Sequence, residues 1–236
     1  MARRSTARPR QGLTRRHWLT RTALPLLWPG ALGLGAYRPA WSASYPATIE
    51  AMRQARDTEM GVYYRYTEWG RHAQAEGYAG IAYLFAAFAS AEFIHANNFG
   101  RILVRLNAEA APVPKPVVNG SSTREHLIAA ANGEAHSVEN FYPALLEKIR
   151  PEGHADAMQV VQWAWNTELQ HRDKIRQIQR YSPSFFDMVA RQIDKKTGQY
   201  FVCQICGNTV NRVPNGSCGV CANPSRNFRL IEPPAG

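Results

Sequence analysis

The chain carries two Glu-x-x-His tetrads, Glu92-Phe-Ile-His95 and Glu168-Leu-Gln-His171, each inside a long stretch of helix-forming and aromatic residues. A spacing of three puts the carboxylate and the imidazole on one face of a helix. That face is otherwise apolar, and a Glu and a His buried there need a partner or a metal ion. Two tetrads on two helices, joined by one inward Glu from each of two more, build a carboxylate site for a pair of metal ions inside a four-helix bundle. Glu59 and Glu134 are the candidates for those further carboxylates. Four carboxylates in one core repel each other, and burial alone would protonate some of them. Two divalent ions neutralise the set and two imidazoles complete it. Oxygen and nitrogen donors with open positions suit non-haem iron or manganese.

The rest of the chain is consistent with an all-α bundle. Ser44-Tyr45-Pro46 reads as a helix start with Ser44 as N-cap, and the pattern runs to about Ala75. Glu76-Gly77-Tyr78 breaks it. A second helix runs from about Ala79 to Leu106, with the inward stripe Ile81, Phe85, Phe88, Glu92, His95 and Phe99. Ala111-Pro-Val-Pro-Lys-Pro116 cannot be helix interior and forms the long crossover. Ser122-Thr-Arg-Glu125 is a capping box opening a third helix with Leu127, Ala130, Glu134 and Phe141 inward, and Pro143 marks a kink or end. Pro151-Glu-Gly153 precedes a fourth helix, running to about Tyr181, with Val161, Trp165, Glu168, His171, Ile175 and Ile178 on one side. The bundle occupies 45–183, a polar linker 184–199, and a small module 200–236.

All four cysteines lie in that module, as Cys203-x2-Cys206 and Cys218-x2-Cys221. Two facing C-x-x-C knuckles give a tetrahedral thiolate site for iron or zinc, and only iron would be redox-active. So short a module needs a metal as its staple. Gly207 sits where the first knuckle must turn tightly, and Tyr200, Phe201 and Phe228 supply an aromatic patch. Two disulfides are the alternative that an oxidising compartment permits.

The net charge of +10 is misleading, because residues 1–44 hold eight Arg, no Lys and no acid. The remainder has 20 basic against 18 acidic residues, which leaves no electrostatic footprint for nucleic acid. Thr14-Arg15-Arg16-His17-Trp18-Leu19-Thr20 reads as a twin-arginine export signal, followed by a weakly apolar stretch from Thr22 to Tyr37. Ala40-Trp41-Ser42 offers small residues for cleavage within 42–44. We therefore expect a periplasmic protein, membrane-anchored if the signal is retained, with no other segment of membrane-spanning length.

At this point the chain resembles rubrerythrin, a ferritin-like di-iron domain followed by a rubredoxin-like domain. The resemblance covers about 45–232 and rests on Glu59 with Arg65-Tyr66 and Glu76-Gly77-Tyr78, Glu92-x-x-His95, Gly133-Glu134 with Phe141-Tyr142-Pro143, and Glu168-x-x-His171. It implies two irons bridged by Glu92 and Glu168, with Glu59 and Glu134 terminal and one His on each metal. It also implies one iron on Cys203, Cys206, Cys218 and Cys221, with zinc as the alternative. Tyr66 and Tyr142 fall where the family places tyrosines that hydrogen-bond the ligand carboxylates. Two positions depart from the family: Gly219 replaces a usual Pro, and Ser137 stands where the family usually has a further Glu ligand. Glu139 and His136 cannot substitute, being about 140° and 200° around the helix from Glu134.

The resemblance implies an oxidoreductase that reduces hydrogen peroxide to water, its di-iron centre recharged through the four-cysteine iron. The set of four Glu and two His, resembling bacterioferritin-like sites, supports the alternative of an oxidase of Fe²⁺ using peroxide or O₂. A non-enzymatic metal-binding protein with a structural zinc module is a third reading. The electron donor is unknown. We expect a homodimer, head-to-tail as in the family, because the fourth helix leads the module away from the bundle centre.

Overall fold

The computed structural model describes residues 44–118, 120–179 and 198–234. Residues 1–43, read above as an export signal, and 180–197, where the fourth helix is expected to end and the linker to run, lie outside them. Helix α1 spans Pro46–Ala75, α2 Ala79–Arg105, α3 Thr123–His136, α4 Tyr142–Ile149 and α5 Ala155–Gln179. Strands β1 (Phe201–Cys203), β2 (Thr209–Val210) and β3 (Phe228–Leu230) form one antiparallel sheet in the order β2-β1-β3.

Two helix starts show how local and distant signals share the work. Ser122 caps α3 as its sequence predicts: its hydroxyl accepts from the Glu125 N–H while the Glu125 carboxylate accepts from the Ser122 N–H. Ser44 does not cap α1. The carboxylate of Glu152 does so from over a hundred residues away, accepting from the N–H groups of Ala47 (2.9 Å) and Thr48 (2.8 Å). A negative group at a helix N-terminus satisfies free N–H groups and meets the positive end of the dipole.

The expected third helix is interrupted. Ser137–Phe141 adopt π geometry, and the Tyr142 N–H reaches back to the carbonyl of Ser137 rather than that of Val138. The freed Val138 carbonyl accepts from the indole N–H of Trp165 at 3.0 Å. Pro143, which has no N–H, follows directly. Glu134 and Tyr142 are eight residues apart, or about 80° in an unbroken α-helix. The extra residue in the wider turn reduces this to about 20°, so both side chains enter the same core.

Helix α2 is the centre of the bundle. It is long and apolar enough to cross a membrane, contrary to the expectation that no segment after residue 44 would be. However, 78% of its most apolar window is buried, which is the position of a core helix. Two apolar clusters fill the bundle. One gathers Trp69, Ile81, Phe85, Phe88 and Leu127; the other Met52, Phe99, Leu103, Leu145 and Val161. A layer of buried Glu and His lies between them. The cysteine module packs on the α2 and α5 side, with Val202 against Ala91 and Ile94, and Tyr200 edge-on to Tyr83.

Candidate metal centres

Helix α1 brings Glu59 to the layer, α2 brings Glu92 and His95, α3 brings Glu134, and α5 brings Glu168 and His171. All six are at most 3% exposed. They form two overlapping groups whose ligand atoms lie within 4.8 Å of one another. Glu59, Glu92, His95 and Glu168 make one; Glu92, Glu134, Glu168 and His171 make the other. Glu92 and Glu168 belong to both, while Glu59 and Glu134 each belong to one. The sequence places every one of these residues on an inward helical face, and the fold brings them together.

The contacts inside the layer fit a pair of metal ions. His95 Nδ1 is 2.9 Å from Glu92 Oε2 and 3.1 Å from Glu168 Oε1, and His171 Nδ1 is 3.0 Å from Glu92 Oε1. Yet Glu92 Oε1, Glu134 Oε2, Glu168 Oε1 and His171 Nδ1 are buried without an aligned hydrogen bond. Buried polar atoms this close are normally paired. Here they converge on shared points, as ligand atoms do around an ion.

Electrostatics agree. Burial pushes the Glu59 and Glu134 carboxyls well above the usual range, reinforced by the charges of Glu168 and Glu92. Burial also opposes ionisation of Glu168, but hydrogen bonds from Glu134, His171 and His95 outweigh it and hold that carboxyl well down. His95 and His171 are raised, their burial overcome by Glu92 and Glu168. Without metal, the layer must keep protons to limit repulsion.

Tyr66 donates to Glu134 Oε1, and Tyr142 donates to Glu59 Oε1 at 2.6 Å. Each tyrosine thus orients one of the two unshared carboxylates. Both hydroxyls are held far above the usual phenol range, first by burial and then by the Glu each one bonds, so they stay protonated donors. Phe88 stacks on His171, ring centroids 3.9 Å apart, and fixes its plane. Ser137 stands beside the layer, lining a cavity with Glu59, Glu134 and Glu168. Glu139 points elsewhere, being exposed and 3.4 Å from Arg176.

The second centre is the cysteine module. Its four cysteines are free, buried, and mutually within 4.8 Å. Cys203 and Cys221 sulfurs are 3.8 Å apart, Cys206 and Cys218 3.6 Å. These are not disulfides. A tetrahedron with metal–sulfur bonds of about 2.3 Å has edges of about 3.8 Å, so the geometry suits one tetrahedral ion. The Cys206 thiol, donating to Cys203, draws the latter down to about 5, and the same contact pushes Cys206 up. The Asn208 side-chain N–H donates to Cys218 sulfur at 3.3 Å.

The two centres meet. The carbonyl of Cys206 is 3.2 Å from His95 Nε2, so the imidazole is protonated there and offers Nδ1 to the carboxylate layer. Asn98, one helical turn after His95, donates to the Ile205 carbonyl at 2.7 Å, and the Thr167 hydroxyl lies between the carbonyls of Trp163 (3.0 Å) and Cys206 (3.2 Å), with one proton to give to either. Gly207 has φ +82°, and a Cβ there would fall 2.5 Å from His95 Nε2. It is required both for the knuckle turn and for the close approach. Asn98 and Thr167 were not singled out from sequence; their one signal is a polar side chain beside the tetrads on a buried face. The expectation that α5 carries the module away from its own bundle also differs from what is found. The contact is made within one chain.

A family model described as Rubrerythrin matches residues 50–179. Nigerythrin of Nitratidesulfovibrio vulgaris is 32% identical over 186 residues, covering 77% of this chain and 85% of that protein. Rubrerythrin-2 of Clostridium acetobutylicum is 27% identical over 184 residues, covering 78% and 96%. Among solved structures, a mixed-valence state of nigerythrin matches with TM-score 0.65 and 27% identity over 80% of this chain and 88% of that one. The bacterioferritin of Desulfovibrio desulfuricans, at 20% identity and TM-score 0.58, shares the bundle fold. With a carboxylate–histidine layer that fits two irons and a four-cysteine cluster that fits one, the chain belongs to the rubrerythrin family.

Proposed function

We propose that this di-iron oxidoreductase reduces hydrogen peroxide to water, with the four-cysteine iron returning the electrons. The observation that carries the reading is the Cys206 carbonyl on His95 Nε2. One residue and one hydrogen bond link a cysteine sulfur to an imidazole of the carboxylate layer. That short path is what an electron relay between the two centres requires.

Glu92 and Glu168 would bridge the two ions, Glu59 and His95 would hold one, and Glu134 and His171 the other. When bound, two ferrous ions supply the two electrons that cleavage of the O–O bond requires, one each. Peroxide takes those electrons and two protons and leaves as two waters. The protein positions and insulates. Tyr66 and Tyr142 hold the unshared carboxylates in place, each phenolic proton staying on its oxygen. The Cys206 carbonyl keeps the His95 proton on Nε2, and the two apolar clusters exclude bulk water from either side.

Anaerobic titration of the fully reduced, iron-loaded protein tests this. Three one-electron irons and a two-electron oxidant give an endpoint of about 1.5 peroxides per chain, reached by both the di-iron and the cysteine-iron absorption bands. The alternative, oxidation of Fe²⁺ as substrate, is favoured by the four-Glu, two-His set. Against it, Arg65 lines the cavity beside the site, and its permanent positive charge suits a neutral peroxide better than Fe²⁺. Sustained Fe²⁺ oxidation with little peroxide turnover would favour that alternative.

The assembly we propose is a homodimer, and mixing chains tests whether it carries the electron path. If a Glu92→Ala chain and a Cys206→Ser chain regain turnover when combined, the path runs between subunits; if not, it lies within one. We also propose export by the twin-arginine route. Changing Arg15 and Arg16 together to Lys should retain the precursor inside the cell, and normal export would contradict the assignment.

A further inference from the structure

We propose that the junction of α1 and α3 forms a third metal site, for a single divalent ion of the zinc class, with His72, His126 and Glu76 as its ligands. It is separate from both centres described above. His126 precedes Glu134 by eight residues of α3, or about 12 Å along the helix axis.

His126 is the side chain that points to a ligand. It is 3% exposed, and neither Nδ1 nor Nε2 has a hydrogen-bond partner. Buried polar atoms are nearly always paired. The ring is nevertheless fixed in place, stacked on Trp69 with ring centroids 5.1 Å apart and 14° between the planes. Burial, and then the charge of His72, hold His126 below the usual histidine range. It is therefore neutral near pH 7, the form that binds a metal ion. Thr123 Oγ1, three residues earlier on the same face of α3, is a second buried polar atom without a partner.

His72, from the last turn of α1, stands edge-on to His126, with ring centroids 5.3 Å apart and 74° between the planes. Two imidazoles on one tetrahedral ion, with metal–nitrogen bonds of about 2.0–2.1 Å, have ring centroids about 5.2 Å apart. The pair is thus spaced as two ligands of one ion would be. His72 is partly exposed, which opens the pair to ions from solvent. Glu76 follows His72 by four residues, on the same side of α1. Its Oε2 accepts from the N–H of Thr123 at 3.1 Å, at the start of the helix that carries His126, and its Oε1 makes no hydrogen bond among the described residues. Glu76 is exposed, so its carboxylate turns toward the histidines without disturbing the core. Its charge already favours a positive charge at His126. Two imidazoles and one carboxylate, with water in the fourth position, are a donor set that zinc accepts.

The probe is Zn²⁺ alone, added to the iron-loaded, full-length protein so that both iron centres are already filled. Calorimetric titration should show one equivalent of Zn²⁺ bound while the iron absorption bands stay unchanged. His72→Gln and Glu76→Gln, at positions open to solvent, should each weaken that binding at least ~10-fold, since even a residue that only supports a ligand is worth that much. His126→Phe keeps an aromatic ring on Trp69 and should abolish it, with melting temperature as the check on folding. Should His126→Phe fail to fold, the other two variants decide. Crystals soaked in Zn²⁺ give the position, and the anomalous signal at the zinc edge should lie between the His72 and His126 rings. No zinc bound beyond the iron centres would overturn the proposal. So would binding unchanged in His72→Gln and Glu76→Gln, or an anomalous peak elsewhere. Density beside His126 without anomalous signal would identify a buried water and overturn it too. The peroxidase reading stands under every one of these outcomes, because none of the three residues belongs to the carboxylate layer.

Discussion

The two metal centres of this chain are built by opposite strategies. The carboxylate–histidine layer draws six side chains from four helices spread over Glu59 to His171, and every ligand sits deep in an apolar core. The cysteine centre draws four from a stretch of nineteen residues, held by tight knuckles and a three-stranded sheet. The first is preorganised by the whole fold and stores repulsion among its carboxylates when metal is absent. The second is local, and its metal is a large part of what holds it together. Long-range construction gives a site with open positions for chemistry; local construction gives a closed one suited to passing electrons.

The comparison breaks most visibly if either shared carboxylate is removed. Glu92→Ala or Glu168→Ala takes ligand atoms from both metal positions. It should lower affinity for the metal pair by at least ~100-fold, the upper range for losing even a supporting residue, and abolish peroxide turnover. Metal titration with the absorption spectrum checks this, and the cysteine centre should load normally.

A smaller change tests the contact between the centres. Gly207→Ala must place a Cβ at φ +82° and against His95. Left-handed strain costs about 1–3 kcal/mol, and the module must withdraw besides. Transfer from the cysteine iron should slow at least ~10-fold while both centres keep their metals, as read by rapid-mixing absorption.

Acidity separates the two regions further. In the metal-free bundle, Glu59, Glu134, His95 and His171 all have raised folded pKa values. Each contributes stability that is complete below its unfolded pKa, about 4.3 for Glu and 6.5 for His, and is lost as pH rises through the folded value. Glu168, held down, acts in the opposite sense, but below this window. The metal-free protein should therefore melt at lower temperature at pH 8 than at pH 5. Metal binding, which replaces those protons, should remove or reverse the trend.

The mildest prediction concerns the second knuckle. Ala222 has φ +58°, where the first knuckle has Gly207 at +82°. Ala222→Gly should relieve the strain and stabilise the module by about 0.5–1 kcal/mol, after allowing for glycine's greater freedom when unfolded. Thermal unfolding followed at the cysteine-iron band measures it, and the bundle should not respond.

The same contrast explains what could be read from sequence. Glu-x-x-His and C-x-x-C encode geometry within one turn or one knuckle, so both ligand sets were legible, as were the α3 capping box and the crossover before it. The π turn at Ser137–Phe141 was not, because it depends on the Trp165 indole, a helix away, taking the Val138 carbonyl. Glu152 capping α1 and Asn98 gripping the Ile205 carbonyl are likewise pairings across about a hundred residues. Gly207 was legible as a turn residue but not as the point of closest approach to His95, which only docking of the module creates.

The central claim is that electrons from the cysteine iron reach peroxide through the carboxylate–histidine centre. Rapid mixing of reduced protein with peroxide, followed at the visible charge-transfer band of the cysteine iron, tests it directly in native protein and in Glu92→Ala. The account predicts prompt return of the ferric band in the native protein and a cysteine centre that stays reduced in Glu92→Ala. Equal rates of reoxidation in the two would contradict it, because the cysteine iron would then react with peroxide on its own.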